Sequence, residues 1–404
     1  MTDRLDIVVF ATRNWREYQR RPHYTALSKY ARVLVVEPPI TPYSIIRDPK
    51  EVLQFLLGKS RLRQESPSLF VFTPLASMPY GLAWRNDFLS LINGRSLALD
   101  VERVLKELDF QDWLQICFMP LQEGLFKSFR PALRCFEIID QVSTFFGPDT
   151  DLSRWQDVRA LELEKRICTR ADIIFATSEA LYESKKEYNP HTYLVPNAAD
   201  VEHFSRAQDG TQPVPEDLRE LPSPRIGFVG HLTDFFHAEL LRHIAAHRPD
   251  WSFVLVGEDN TTPAFRTEVR LDEVLARPNV HWIGRRDYED LPDYIRGFDV
   301  CTMLYPLRDR LRFSQPNKIH QYLASGKPVV STDFPSVRKF DDVIEVAKDF
   351  PDFLARLDKV LLHDTNEARG RRISVAQENS LEVRARQKMA IFRTHLAHRK
   401  AAHD

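Results

Sequence analysis

The sequence predicts an α/β chain built as two parallel-sheet domains, and three observations carry that expectation. Short apolar runs alternate with helix-length segments through both halves, the pattern of parallel strands joined by crossover helices. At 404 residues the chain is longer than a single hydrophobic core usually grows. The segment 205–224, SRAQDGTQPVPEDLRELPSP, is polar and proline-rich, is not expected to pack as a core element, and marks the crossing between the halves or its near neighbourhood.

Taken in order, the strands expected in the first half are 6–11, 33–36, 69–73, 114–118, 134–139 and 173–177. The second half repeats the logic at 225–229, 252–256, 280–283, 299–304 and 328–332. The last two enclose the most informative stretch, VCTMLYPLRDRLRFSQPNKIHQYLASGKPVVSTD from Val300 to Asp333. Its ends read as strands buried on both faces, with a basic loop and one short helix between them. Pro316 suits a helix start, Asn317 or Ser314 can cap it, and Gly326 ends it in the left-handed conformation. The start of that helix offers unpaired backbone N–H groups and a positive dipole end, with Lys318 in the first turn and Arg308, Arg310 and Arg312 upstream. An anion should bind there; the plain alternative is a solvated basic loop. From about residue 371 a basic helical pattern runs through His398, expected to pack back on the first domain. The domains expected are therefore 1–197, 198–374 and a returning tail, 375–404.

Composition excludes several classes. Lysine and arginine number 56 against 57 acids, a net charge of -1, which argues against bulk nucleic-acid binding. Cys117, Cys135, Cys168 and Cys301 have no close pair spacing and suit buried free thiols in a reducing compartment, here the cytoplasm. No stretch reaches the about 20 apolar residues of a membrane span, and the N-terminus lacks a signal-peptide pattern. His243 and His247 are spaced as a helical metal pair, but nothing nearby completes a ligand set, so neither a metal nor another cofactor is expected.

The order and spacing of five pieces resemble a known family. They are QRRPHYTALSKYARVLVVEPP near the start, RADIIFATSEALYESKKEYNPHTYLVPNAADVEHF before the polar segment, and RIGFVGHLTDFFHAELLRHIAAHRPDWSFVLVGE after it. NVHWIGRRDYEDLPDYIRGFDVCTMLYP and PNKIHQYLASGKPVVST complete the set. Together they resemble the bacterial GT4-like glycosyltransferases of group 1 type. The resemblance implies a GT-B fold, two Rossmann-like domains facing across a cleft. It also implies a nucleotide-sugar donor held by the C-terminal domain, a glycan or lipid-linked acceptor held by the N-terminal one, and transfer with retention. UDP is the base-rate guess for the nucleotide.

The same resemblance assigns residues. Gly230 falls at the glycine that lets backbone approach the donor phosphates. His231 stands where many members carry an arginine and can still donate a hydrogen bond; it is kept as a catalytic candidate. Lys318, Arg308 and Arg312, with Asn317, are the substitute phosphate grip. The family's two glutamates separated by seven residues are replaced by Phe313 and Gln321, and Gln321 can still hydrogen-bond the ribose diol without a carboxylate's charge. Arg285, after Gly284, can stack on the nucleobase, or the segment is a strand end with Asp287 capping a helix. Asp299 reads as a turn.

On the N-terminal side Arg13, Trp15, Arg20, Arg21 and His23 follow the first strand, where ligands of open α/β sheets bind, and form the acceptor cluster. Glu137 and Asp140, in CFEIIDQ, end another strand; either could orient or deprotonate the acceptor hydroxyl, or cap the next helix. The implied retaining reaction needs no protein nucleophile, only neutralisation of the departing diphosphate and exclusion of water. An epimerase and a silent nucleotide-binding partner stay open beside the transferase. Residues 49–63 and the tail 384–400 mix apolar and basic groups and suggest peripheral attachment to an anionic membrane, or wet faces of packed helices.

Overall fold

A computed structural model of the chain describes residues 4–17, 20–42, 61–76, 78, 80–141, 151–306 and 309–401. They form two compact units, Met1–Pro196 with Arg384–Asp404, and Asn197–Val383. The crossing falls between Pro196 and Asn197, ahead of the polar segment, which belongs to the second unit. That segment does reach a core: Leu218, in the short helix Glu216–Arg219, is fully buried, because one apolar side chain among polar neighbours is enough to anchor a turn. The return point is likewise corrected. Residues 375–383 stay with the second unit because the helix Asn366–Glu378 buries Val375 and Ala376 in that unit's core.

The first unit holds an eight-stranded sheet, counted among the described residues. Its strands are β1 (Leu5–Phe10), β2 (Ala31–Val36), β3 (Leu62–Ser66), β4 (Leu69–Phe72), β5 (Leu114–Cys117), β6 (Leu133–Ile138), β7 (Ile173–Ala176) and β8 (Thr192–Leu194). The order is β3-β4-β2-β1-β5-β6-β7-β8, parallel except for β3 against β4. β5, β6 and β7 are mostly apolar, apart from Gln115, Arg134 and Glu137, and almost wholly buried, as strands covered on both faces must be. β3, LRQES, is a polar edge strand that no apolar run announces.

The long helix Leu381–Ala401 ends this unit. Met389 and Phe392 are buried, the Phe392 ring meeting Phe175 of β7 at 5.4 Å between centroids. Each such burial contributes roughly 1.5–3 kcal/mol. Met389 and Phe392 of the tail therefore face the unit's own core, while Ile391 and Leu396 are half-buried. Residues 49–60 lie outside the described residues.

The second unit carries six strands among the described residues, β9 (Arg225–Val229), β10 (Ser252–Val256), β11 (Val280–Gly284), β12 (Val300–Met303), β13 (Val329–Thr332) and β14 (Glu345–Ala347). Their order, β11-β10-β9-β12-β13-β14, is parallel throughout. From β9 the chain steps outward to β10 and β11, then returns to lay β12 on the other side of β9. The β9/β12 junction is thus the point where strand order reverses, and the carboxyl end of such a junction opens into a crevice. Asp299 serves this junction structurally, its Oδ2 accepting from the Arg225 amide at 2.7 Å. All four cysteines are buried and unbridged.

Candidate functional site

Two groups of polar residues stand at carboxyl ends of strands, one in each unit. In the second unit, the helix Lys318–Ser325 follows β12 and ends at Gly326, whose φ of 73° is the left-handed stop expected there. Asn317 occupies the cap position by its backbone, its carbonyl accepting from the Gln321 amide at 3.1 Å. Its side chain makes no capping bond, which corrects the expected role. Asn197 fixes the approach to the helix: its amide and Nδ2 donate to Gln315 Oε1 and O at 2.6 and 2.7 Å.

Lys318 and Tyr322, one helical turn apart, share the face that meets the end of β9. Tyr322 is fully buried and its hydroxyl accepts from the Val229 amide at 2.8 Å, which pins the last residue of β9. Gly230 comes next, with φ 151° and its amide donating to the Val256 carbonyl at 2.8 Å. A Cβ at Gly230 would lie 2.4 Å from Lys318 Nζ, so the glycine's missing side chain is the space the ammonium occupies. The ammonium sits over two rings, 4.1 Å from the Phe228 centroid and 4.9 Å from that of Tyr305, just past β12. Among the described residues no carboxylate or carbonyl accepts from it. Burial pushes its pKa down from 10.5 to about 7.

Gly257, ending β10, has the same need: a Cβ there would fall 2.1 Å from the Gly230 carbonyl oxygen. Gly230 and Gly257, on neighbouring strand ends, thus bring backbone against backbone beside a cation at the switch point. Gly257 and Tyr322 were not singled out in the sequence. The repeated strand-then-glycine pattern and the four-residue spacing from Lys318 are the signals that could have found them.

The other donor candidates are more scattered. His231 is exposed, its Nδ1 3.2 Å from Asn260 Nδ2 and 3.9 Å from Glu258 Oε2. Arg285 is exposed, whereas Arg286 is committed to structure, donating to the Tyr294 hydroxyl and to Asp217 at 2.6 and 2.8 Å. Asp287 precedes a short helical turn without capping it through its side chain. Arg312 is exposed with its guanidinium 5.7 Å from the neighbouring Phe313 ring, and Gln321 is half-buried. Arg308 lies outside the described residues.

In the first unit the expected acceptor cluster separates into surface and interior. Arg13 is exposed, and Arg21 and His23 are half-buried. Trp15 is buried, its amide donating to Glu37 at 2.7 Å, so its ring supports the loop from within and is not placed to touch an acceptor. Arg20 is also interior. It ion-pairs with Glu137 of β6, which also accepts from Lys388 at 2.7 Å and from the Tyr24 hydroxyl at 3.2 Å. Burial alone would raise the Glu137 pKa, but the Arg20 and Lys388 charges outweigh it and hold the carboxyl below its ordinary range. A carboxylate that is 1% exposed and held by two cations is not available as a base, which corrects its catalytic assignment and the acceptor assignment of Arg20. Asp140, two residues beyond β6, is half-buried at the carboxyl edge of the sheet.

Comparison with known proteins adds sequence and fold. Residues 223–363, most of the second unit, match the family described as Glycosyl transferases group 1. A Bacillus subtilis (strain 168) protein named "Putative teichuronic acid biosynthesis glycosyltransferase TuaH" is 28% identical over 263 residues. That match spans 63% of this chain and 64% of the relative's length. Among solved structures, the sucrose-phosphate synthase of Thermosynechococcus elongatus is similar with a TM-score of 0.66 at 15% identity, over 98% of this chain and all of that one. A UDP-forming α,α-trehalose-phosphate synthase from Burkholderia xenovorans, solved with glucose-6-phosphate, reaches 0.68 at 13%, over 96% and 99%. No helix among the described residues is long and apolar enough to cross a membrane. Residues 223–363 of the second unit thus match the group 1 glycosyltransferases, and the chain has the GT-B fold.

Proposed function

We propose that the protein is a glycosyltransferase that moves a sugar from a nucleotide-sugar donor, with UDP as the nucleotide, to a glycan or lipid-linked acceptor in the synthesis of a bacterial cell-surface polysaccharide. One observation carries the reading: an ammonium with no acceptor among the described residues, seated over two rings and against Gly230 at the strand-order reversal. A diphosphate supplies what that ammonium lacks, and the neighbouring helix start adds its dipole to the same end. The group 1 match of the second unit and the teichuronic acid name of the relative support the reaction class and the product class.

In this reading the protein stabilises the charge that develops on the leaving diphosphate. Lys318 regains its proton and its full charge as the diphosphate binds, and the backbone at Gly230 and Gly257 comes close enough to touch phosphate oxygens. Transfer occurs with retention, the leaving oxygen taking the proton of the incoming hydroxyl, so neither a protein nucleophile nor a metal is invoked. Gln321 contacts the ribose, Arg285 the base, and Arg312 and His231 the outer phosphate edge. Asp140 orients the acceptor hydroxyl, with Arg13, Arg21 and His23 on the acceptor side. The site of action is the cytoplasm, at the inner face of the membrane.

A thermal-shift titration with UDP and UDP-sugars tests this. The wild-type melting temperature should rise with ligand concentration by mass action, and Lys318→Ala should lose most of that rise while keeping the unliganded melting temperature. An equal rise in the variant would remove Lys318 from the site, and no rise with any nucleoside diphosphate would remove the donor reading.

A further inference from the structure

The helix Asp87–Glu107 has two apolar faces, and its unit covers only one of them. Leu97, Ala98, Val101, Val104 and Leu105 are buried. On the opposite side Phe88, Ile92 and Leu99 are exposed at 68%, 40% and 75%. Residues 88, 92, 95, 99, 103 and 106 follow one another by three or four, so they form a single outward stripe, apolar at Phe88, Ile92 and Leu99 and cationic at Arg95, Arg103 and Lys106. All three cations are exposed; Arg103 pairs with Asp100 at 3.2 Å, and Glu102 and Glu107 are exposed acids of the same helix.

Asp87 ion-pairs with Arg159 and Arg166 of the helix Asp151–Arg170, which sets that helix beside the start of the stripe; Val158 and Leu161 are exposed on it. Seven of the ten large apolar residues that are exposed among the described residues are Leu75, Leu82, Phe88, Ile92, Leu99, Val158 and Leu161, all in this part of the first unit. Such concentration marks a surface that something covers.

We infer that this stripe docks the protein on an anionic lipid bilayer, Phe88, Ile92 and Leu99 entering the headgroup boundary while Arg95, Arg103 and Lys106 meet lipid phosphates. Apolar side chains flanked by cations fit that surface on both counts. The inference adds a membrane surface to the proposed function, and rests on it only in taking the acceptor as lipid-linked.

Co-sedimentation of the full chain with vesicles tests the docking apart from catalysis. Wild-type protein should pellet with phosphatidylcholine vesicles containing phosphatidylglycerol, release as salt is raised, and stay in solution with phosphatidylcholine alone. Phe88→Glu with Leu99→Glu should lower partitioning by about tenfold or more, and Arg95→Glu with Lys106→Glu by on the order of tenfold. Both double variants replace exposed groups and should keep the wild-type melting temperature and its rise with UDP. A wild-type protein that ignores anionic vesicles at low salt, or double variants that bind as wild type, would overturn the inference while leaving the donor reading untouched. So would a wild-type dimer in sedimentation velocity that Phe88→Glu dissolves, which would give the face to a second copy.

Discussion

Lys318 and Lys388 invite comparison because each lies over an aromatic ring in its own unit, 4.1 Å from the Phe228 centroid and 5.5 Å from that of Phe175. Their partners differ. Lys388 is buried and answers Glu137, which Arg20 also holds, so its charge is consumed within the fold. Among the described residues the Lys318 ammonium meets two rings and the space left by Gly230, and burial sets its pKa near 7. A withdrawn lysine with a carboxylate is part of the framework, whereas one without is poised for an anion from outside.

The largest difference should appear in stability. Glu137→Ala strands two interior cations and should cost about 3–5 kcal/mol, read from the urea midpoint of unfolding, while Lys318→Ala should leave that midpoint unchanged or slightly raised. Equal losses would dissolve the contrast. A smaller effect, about 1–3 kcal/mol, is expected of Tyr322→Phe, which leaves the Val229 amide without its acceptor. That variant should also weaken UDP binding, because β9 then no longer holds Gly230 against Lys318; an unchanged affinity would detach the clamp from the site.

The smallest effect is a proton. The unfolded chain keeps Lys318 protonated up to its ordinary 10.5, the folded chain releases the proton near 7, and in that window the empty protein gains stability from this group as pH rises. Diphosphate restores the charge, so at about pH 8 UDP binding should take up a fraction of a proton. Calorimetry in buffers of different ionisation enthalpy would read it, and Lys318→Ala should abolish it.

Much of this contrast was legible in the residues and some was not. The apolar strands were visible because burial on both faces writes a continuous hydrophobic run. β3, β8 and β14 were not, being short and, for β3, polar. Gly230 and Lys318 could be named from a strand end and a helix start. What separates Lys318 from Lys388 could not, since Glu137 and Lys388 stand 251 positions apart and only the folded sheet brings them together. For the same reason Glu137 looked like a strand-end acid open to solvent, when the returning helix had sealed it. Local spacing reports which groups are near in sequence; the charges that neutralise them come from elsewhere.

The discontinuity of the first unit has a consequence for how the chain is made. A nascent polypeptide that has emerged as far as Val383 already owns every residue of the second unit, Asn197–Val383. At that moment Phe175 still lacks its Phe392 cover and Glu137 has only Arg20 to offset it. The later-translated unit is therefore complete in sequence before the earlier one, whose interior cation Lys388 follows it.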